Sequence, residues 1–212
     1  MDHSVERKEV TTFSDQLRYI FRNPLKTIGA FLHKLGVKAN YVTFTGVIGT
    51  AIGSVLVAVG RLTEGGLIIF VSSVVDALDG AVARAGGESE DFGAFVDSVS
   101  DRYSELMIFG GLLWYFVEQE NYAGAVITFL AAGGSLMVSY VRARAQSVGF
   151  EAKVGILTRL ERFIVIGPAI VFRIPMVGVA VVAILANITA FQRIVYVRRQ
   201  AHQQAENKIS ND

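Results

Sequence analysis

Long apolar segments separated by short polar connections occupy the chain between residues 41 and 197. An α-helix needs ~20 such residues to cross the hydrocarbon of a bilayer. Six segments approach that length, although the fifth is short and contains Pro168: 41–60, 65–83, 92–117, 122–141, 157–173 and 175–197. The pattern predicts an all-α, polytopic membrane protein with six transmembrane helices in one domain over residues 39–199.

The segment before the first predicted span is amphipathic. From residue 13 to residue 35 apolar residues recur at helical spacing, with basic residues such as Arg18, Arg22 and Lys26 between them. We expect Pro24 to break or kink this run. A basic amphipathic helix of this length is typical of the membrane interface, so residues 13–38 are predicted to lie there. Residues 1–12 and 200–212 are polar and are predicted to be flexible.

Composition supports a membrane protein, because 52% of the residues are hydrophobic and 18% are charged. The net charge of +1 indicates no particular partner, and we expect none among nucleic acids. The absence of cysteine excludes thiolate chemistry and disulfides. Basic residues concentrate before the first span, between the fourth and fifth, and after the last. The positive-inside rule therefore predicts cytoplasmic termini and a multi-pass protein of the cell membrane.

Aspartates interrupt the facing ends of the second and third apolar segments. Asp76 and Asp79 are three residues apart, and Asp97 and Asp101 are four apart, so each pair shares one face of a helix. A polar hairpin over residues 85–91 would bring the pairs together near one membrane surface. Four converging carboxylates repel one another and require cations, and oxygen ligands suit Mg²⁺ or Mn²⁺. Mutual satisfaction without an ion is the disfavoured alternative.

These aspartates belong to a longer pattern, D-x2-D-G-x2-A-R-x8-G-x3-D-x3-D. Its fixed positions are Asp76, Asp79, Gly80, Ala83, Arg84, Gly93, Asp97 and Asp101. The pattern resembles the signature of the CDP-alcohol phosphotransferases, integral membrane enzymes of phospholipid synthesis. A chance match at eight fixed positions is very improbable.

The resemblance implies a reaction between a CDP-linked lipid, such as CDP-diacylglycerol or CDP-archaeol, and an alcohol, with release of CMP. It implies that Asp76, Asp79 and Asp97 are ligands of divalent metal, with two ions expected. Asp101 would be the general base for the acceptor hydroxyl and would also touch metal. Members of the family are often dimers, so a homodimer is expected by analogy.

The resemblance also implies a set of residues that contact the nucleotide of the donor. Gly80 would let the ligand approach the backbone, and Arg84 would bind phosphate. A small hydroxyl residue is common among close relatives where this chain has Glu90. Alternatively, Asn40 caps the first predicted span. The expected nucleotide-binding residues are Asn40, Tyr41, Val42, Thr43, Gly80, Arg84 and Glu90.

The acceptor is predicted from basic residues in the second half of the chain. The segment SYVRARA at residues 139–145, followed by RLER at 159–162, resembles the corresponding segments of the phosphatidylinositol-phosphate synthases and the archaetidylinositol-phosphate synthases. Two departures are Arg142, where some members have Lys, and Leu160, where many have Pro. The resemblance implies inositol phosphate as acceptor. The expected acceptor-phosphate ligands are Ser139, Arg142, Arg144, Arg159, Arg162 and Arg193.

Other interpretations remain open from the residues alone. The arginines could instead extend to the membrane interface or bind lipid headgroups. Glycerol 3-phosphate would suit the same basic cluster, whereas inositol or serine would give the arginines no shared purpose. A divalent-cation transporter is the alternative of another class, since intramembrane aspartates often mark ion paths. It is disfavoured because the carboxylates cluster at one surface.

Overall fold

The computed structural model describes residues 13–86 and 90–209, and its side chains over residues 23–86 and 92–207. All regular secondary structure in these residues is helical, as predicted. The helices are α1 (Phe13–Lys34), α2 (Ala39–Ala58), α3 (Leu62–Asp76), α4 (Asp79–Gly86), α5 (Glu90–Glu118), α6 (Tyr122–Ser147), α7 (Arg159–Val171) and α8 (Pro175–Ile209).

Four stretches of the described chain are long and apolar enough to cross a membrane. They are Ala39–Ala58, Leu62–Gly86, Tyr122–Ser147 and Pro175–Asn207. These correspond to four of the six predicted spans. The other two coincide with α5, which has 29 residues but several charges, and with α7, which has 13 residues. These two stay predictions as spans.

The second apolar segment differs from the single helix that its hydrophobic pattern predicts. α3 ends at Asp76 and α4 begins at Asp79. The break follows a tightened turn, in which the Leu78 N–H donates to the Val75 carbonyl, three residues back, at 3.0 Å. The connection from α4 to α5 is also shorter than the predicted hairpin, since α4 extends to Gly86 and α5 begins at Glu90. Residues 87–89 lie outside the described part of the chain.

Helix α1 continues through Pro24, where we expected a break or kink. Its Gly29 lies so close to α4 that an added Cβ would be 2.6 Å from the Ala81 Cβ. Leu32 of α1 packs against a small core that includes Val42 and Val82. Thus α1 is packed on α2 and α4, and its location in the membrane interface stays a prediction. At the other end, α8 continues to Ile209 through most of the predicted flexible tail.

Close helix contacts bring the aspartates together. Gly53 of α2 faces Gly65 of α3, where an added Cβ would be 2.6 Å from the Gly53 carbonyl oxygen. Gly111 of α5 lies equally tightly against the backbone of Ser54 in α2. Because α2 contacts both α3 and α5 without intervening side chains, the end of α3 and the first half of α5 become neighbours.

The connection between α6 and α7 is held along α8. The Leu157 N–H donates to the Thr189 hydroxyl at 3.1 Å. Glu151 and Gln200 exchange two hydrogen bonds, of 3.3 Å and 2.6 Å. The start of α7, and with it Arg159, therefore takes its position from α8.

Candidate active site

Three carboxylates from two helices meet at the end of α3. Asp76 is the last residue of α3, and Asp97 and Asp101 lie one turn apart on α5. Each side chain offers one oxygen, and these oxygens all lie within 4.8 Å of one another. Asp76 is 9% exposed and Asp101 8% exposed, so water screens little of their repulsion. A hard divalent cation bound by oxygen fits this arrangement.

Asp79, the fourth predicted ligand, has different partners. Its Oδ2 accepts a 2.6 Å hydrogen bond from the Thr43 hydroxyl of α2. Its Oδ1 accepts from the Gly80 N–H. Asp76 and Asp79 thus have different hydrogen-bond partners on the two sides of the break between α3 and α4, although both carboxylates are buried.

Arg159 places a positive charge against the carboxylate cluster. Its Nη2 lies 3.2 Å from the Asp76 Oδ2 and forms a second ion pair with Asp101. The side chain is 47% exposed, so the guanidinium also remains accessible. Arg159 is the first residue of α7, whose N-terminal end adds a partial positive charge. The site therefore combines anionic ligands for a cation with a cation that can bind an anion.

Arg162, one turn later on α7, has an intramolecular partner for each of its nitrogens. Its Nε and Nη2 bind the two oxygens of Glu105 at 2.6 and 3.1 Å. Its Nη1 donates to the Leu157 carbonyl at 3.4 Å. Sequence analysis missed Glu105. A signal was available, since Glu105 follows Asp101 by four residues within an apolar segment.

Arg193 of α8 is buried at 3% exposure and binds backbone carbonyls. Its Nη1 donates to Val138 of α6 at 2.6 Å, and its Nε donates to Val154 of the following connection at 2.8 Å. Arg142 and Arg162 both lie close enough to repel it electrostatically. Basic residues from α6, α7 and α8 are therefore neighbours.

The remaining predicted acceptor ligands lie on the last turns of α6. Ser139 and Arg142 are half-buried. Arg144 is exposed, and its Nη1 donates to the Ser147 hydroxyl at 3.2 Å. In the described part of the chain, Arg159 is the predicted arginine that contacts the carboxylate cluster.

The predicted nucleotide-binding residues line the start of α2 and α4. Asn40 and Tyr41 are exposed, whereas Val42 and Thr43 are buried. Lys38 is the N-cap of α2, so Asn40 lies in the first turn and the alternative role of cap is wrong.

On α4, an added Cβ at Gly80 would be 3.3 Å from a terminal nitrogen of Arg84. The Arg84 guanidinium therefore lies against the half-buried backbone of Gly80. The side chain of Glu90, another predicted contact, falls outside the described side chains.

The chain is similar to a known protein family over most of its length. The family described as CDP-alcohol phosphatidyltransferase matches residues 37–197. The archaetidylinositol phosphate synthase of Pyrococcus horikoshii is 38% identical over 187 residues, covering 87% of this chain and 96% of the relative. The phosphatidylinositol phosphate synthase of Streptomyces avermitilis is 32% identical, covering 87% of this chain and 82% of the relative.

The fold is also similar to solved structures of a phosphatidylinositol phosphate synthase. The phosphatidylinositol phosphate synthase of Mycobacterium tuberculosis with bound CDP-DAG has a TM-score of 0.76 and 28% identity, covering 82% of this chain and 92% of that one. The same enzyme in complex with manganese and citrate has a TM-score of 0.77 and 28% identity, covering 82% of this chain and 88% of that one. The manganese complex, together with the carboxylate cluster, supports divalent metal binding here.

Proposed function

This chain belongs to the CDP-alcohol phosphatidyltransferase family, and on that premise we propose that it joins a CDP-linked lipid to inositol phosphate. The phosphatidyl or archaetidyl group passes from CDP-diacylglycerol or CDP-archaeol to an inositol hydroxyl, and CMP leaves. The observation that carries this proposal is the contact of Arg159 with the carboxylate cluster. Arg159 can bind the phosphate of an acceptor, and it lies directly beside the carboxylates proposed to bind metal and to act as the general base.

We assign the metal site to Asp76, Asp79, Asp97 and Asp101, with Mg²⁺ or Mn²⁺ in two positions. The close oxygens of Asp76, Asp97 and Asp101 support three of these assignments. Asp79 completes the set from the neighbouring α4, where Thr43 orients its carboxylate. When bound, the ions would neutralise the pyrophosphate of the donor and the charge on departing CMP.

Asp101 is the proposed general base. It is buried, lies one helical turn from Asp97, and faces the guanidinium of Arg159. An acceptor held by Arg159 would present its hydroxyl close to the Asp101 carboxylate, which would take the proton as the new ester bond forms.

The donor nucleotide is proposed to bind between the starts of α2 and α4. The side-chain-free backbone at Gly80 and the exposed Arg84 beside it offer a surface for cytidine and phosphate. Thr43 connects this surface to the metal site through Asp79. Asn40, Tyr41, Val42 and Glu90 complete the proposed set.

For the acceptor we retain Ser139, Arg142, Arg144, Arg159, Arg162 and Arg193 as the proposed phosphate-binding region. Their contributions differ. Arg159 and Arg142 remain partly exposed and are proposed to contact phosphate directly. Arg162 and Arg193 are buried in intramolecular bonds: Arg193 binds neutral carbonyls and adds positive potential, whereas Glu105 offsets the charge of Arg162, which shapes the region. Relatives named for inositol-phosphate products favour this acceptor over glycerol 3-phosphate, and family membership disfavours a cation transporter.

The proposed setting is the cell membrane, with α5 and α7 completing six spans and α1 in the cytoplasmic interface. The active site and both termini would face the cytoplasm, in agreement with the distribution of basic residues. A homodimer is proposed by analogy with the family.

The proposed function is tested by measuring CMP release in liposomes. The purified protein is given CDP-diacylglycerol or CDP-archaeol, with inositol phosphate, free inositol, glycerol 3-phosphate or serine as acceptor. We expect inositol phosphate to give the highest kcat/KM and free inositol to be a poor substrate. Preference for glycerol 3-phosphate would refute inositol phosphate as the acceptor but leave the proposed role of the arginines intact. Equal use of free inositol would refute both.

A further inference from the structure

Glu105 and Arg162 form a buried ion pair between α5 and α7. The carboxylate accepts two hydrogen bonds from the guanidinium, of 2.6 and 3.1 Å. The Arg162 side chain is 2% exposed and that of Glu105 is 17% exposed. Arg162 also holds the Leu157 carbonyl just before α7 begins. One side chain therefore joins α5, α7 and the connection that leads into α7.

This pair repeats the geometry of the pair beside it. Asp101 and Glu105 are one turn apart on α5, and Arg159 and Arg162 are one turn apart on α7. Asp101 pairs with Arg159, and Glu105 pairs with Arg162. The backbone of α7 packs mainly against α3 and α8, so long side chains connect it to α5. Packing on α3 and α8 places α7 as a whole, and these two ion pairs add direct side-chain contacts that bear on its height relative to α5.

Stability does not account for a buried pair of this kind. Removing two charges from water costs about as much as their attraction returns, and apolar residues of similar size often stabilise a fold more. Such pairs are best attested where they set the register of one helix against another. A bidentate guanidinium is suited to that task because it fixes both distance and orientation.

We propose that Glu105 is a positioning residue of the reaction. Through Arg162 it holds α7 at the height at which Arg159 meets Asp76 and Asp101, and so it orders the binding site of a phosphorylated acceptor. The link to the acceptor rests on the proposed function, whereas the link to the position of α7 does not.

The kinetic test compares Glu105→Gln with a matched control. Glu64→Gln removes an ion pair of the same chemical type, but that pair, with Arg61, is exposed and lies far along α3 from the cluster. In Glu105→Gln we expect the KM for inositol phosphate to rise about tenfold to a hundredfold, the usual effect of a small misplacement. The KM for the CDP-lipid should stay unchanged, and Glu105→Asp should recover part of the loss.

The direction of that change discriminates between two roles. If Arg162 itself contacts the acceptor phosphate and Glu105 merely restrains it, Glu105→Gln would release the guanidinium and lower the KM. A lower or unchanged KM would therefore overturn the proposal. If Glu105→Gln cannot be purified folded, Glu105→Asp replaces it: the shorter carboxylate keeps the charge but weakens the bidentate contact, and it should raise the KM by a smaller factor.

A second measurement needs no turnover. The chain contains no cysteine, so Tyr103→Cys on α5 and Ile164→Cys on α7 would be the only thiols for spin labels. Both positions are exposed. We expect the label-to-label distance distribution to broaden or shift in Glu105→Gln and to be unchanged in Glu64→Gln. An unchanged distribution in Glu105→Gln would overturn the positioning role. Failure of the wild type to use inositol phosphate would instead overturn only the proposed acceptor.

Discussion

The carboxylate half of the molecule, helices α2–α5, and the arginine half, helices α6–α8, assemble their charges in different ways. In the carboxylate half, Asp76, Asp97 and Asp101 present oxygens to one point and depend on a cation for neutrality. In the arginine half, Arg162 and Arg193 already have partners, a carboxylate for one and backbone carbonyls for the other. Two arginines of α7 join the halves: Arg159 through its ion pairs with Asp76 and Asp101, and Arg162 through its ion pair with Glu105.

The difference separates two functions of buried charge. Three carboxylates whose oxygens lie within 4.8 Å of one another repel one another even beside Arg159, and this site gains free energy when a cation binds. Arginines bonded to their own protein hold helices in place, and their positive potential reaches a ligand that only a few of them touch. Substitutions in the carboxylate half should therefore remove the reaction. Those in the arginine half should change acceptor binding by graded amounts.

The largest expected effect comes from Asp97→Asn, because the neutral amide removes one negative ligand from the cluster. CMP release should fall below detection, and the protein should lose affinity for Mn²⁺ measured by electron paramagnetic resonance. Excess chelator should abolish turnover of the wild type as well. Glu118→Gln is the control, since Glu118 is an exposed carboxylate at the far end of the same helix. Full activity in chelator would contradict the proposed role of the carboxylate half.

The second prediction separates a base from a metal ligand. In Asp101→Asn we expect turnover to fall by roughly 10²–10⁴, the usual contribution of a positioned general base. Binding of the CDP-lipid, measured by isothermal titration, should remain largely intact. Collapse of binding together with turnover would make Asp101 primarily a metal ligand.

The third prediction concerns Arg159, the joining residue that contacts the carboxylate cluster. Arg159→Ala should raise the KM for inositol phosphate roughly ten- to a hundredfold, because a hydrogen bond to a charged group contributes ~1.5–3 kcal/mol. The KM for the CDP-lipid should change little. Arg198→Ala removes an exposed arginine from the C-terminal half of α8 and is the control. Equal effects of the two substitutions would mean that general positive charge, rather than the position of Arg159, attracts the acceptor.

The two halves also differ in how far sequence could predict them. The aspartates follow a fixed spacing within two neighbouring helices, so helical periodicity and a family resemblance are enough to place them near one another. The family and the all-helical fold are confirmed. The break after Asp76 could not be predicted from hydrophobicity, because residues 76–79 contain no glycine or proline and their two aspartates also suit a continuous helix. It gives Asp79 its contact with Thr43.

The arginines come from three separated segments, and their individual partners depend on tertiary packing. Nothing in the spacing of Arg162 or Arg193 reveals that Glu105 and two backbone carbonyls occupy their donors. Such contacts require the relative height of α5, α7 and α8. Sequence therefore proposes the members of this basic region but cannot assign separate tasks within it.

The smallest expected effect tests the contact between α2 and α4. Thr43→Val keeps the shape of the side chain and removes the 2.6 Å hydrogen bond to Asp79. Asp79 retains the Gly80 N–H, so we expect a loss of about 1 kcal/mol, or about fivefold in the KM for the CDP-lipid. Thr45→Val is a close control, because the Thr45 hydroxyl donates only to the Tyr41 carbonyl within the same helix. The KM for inositol phosphate should be unchanged in both variants. A rise in that KM for Thr43→Val would show that Asp79 acts on the acceptor as well, and the separation between the two halves would then be wrong at this residue.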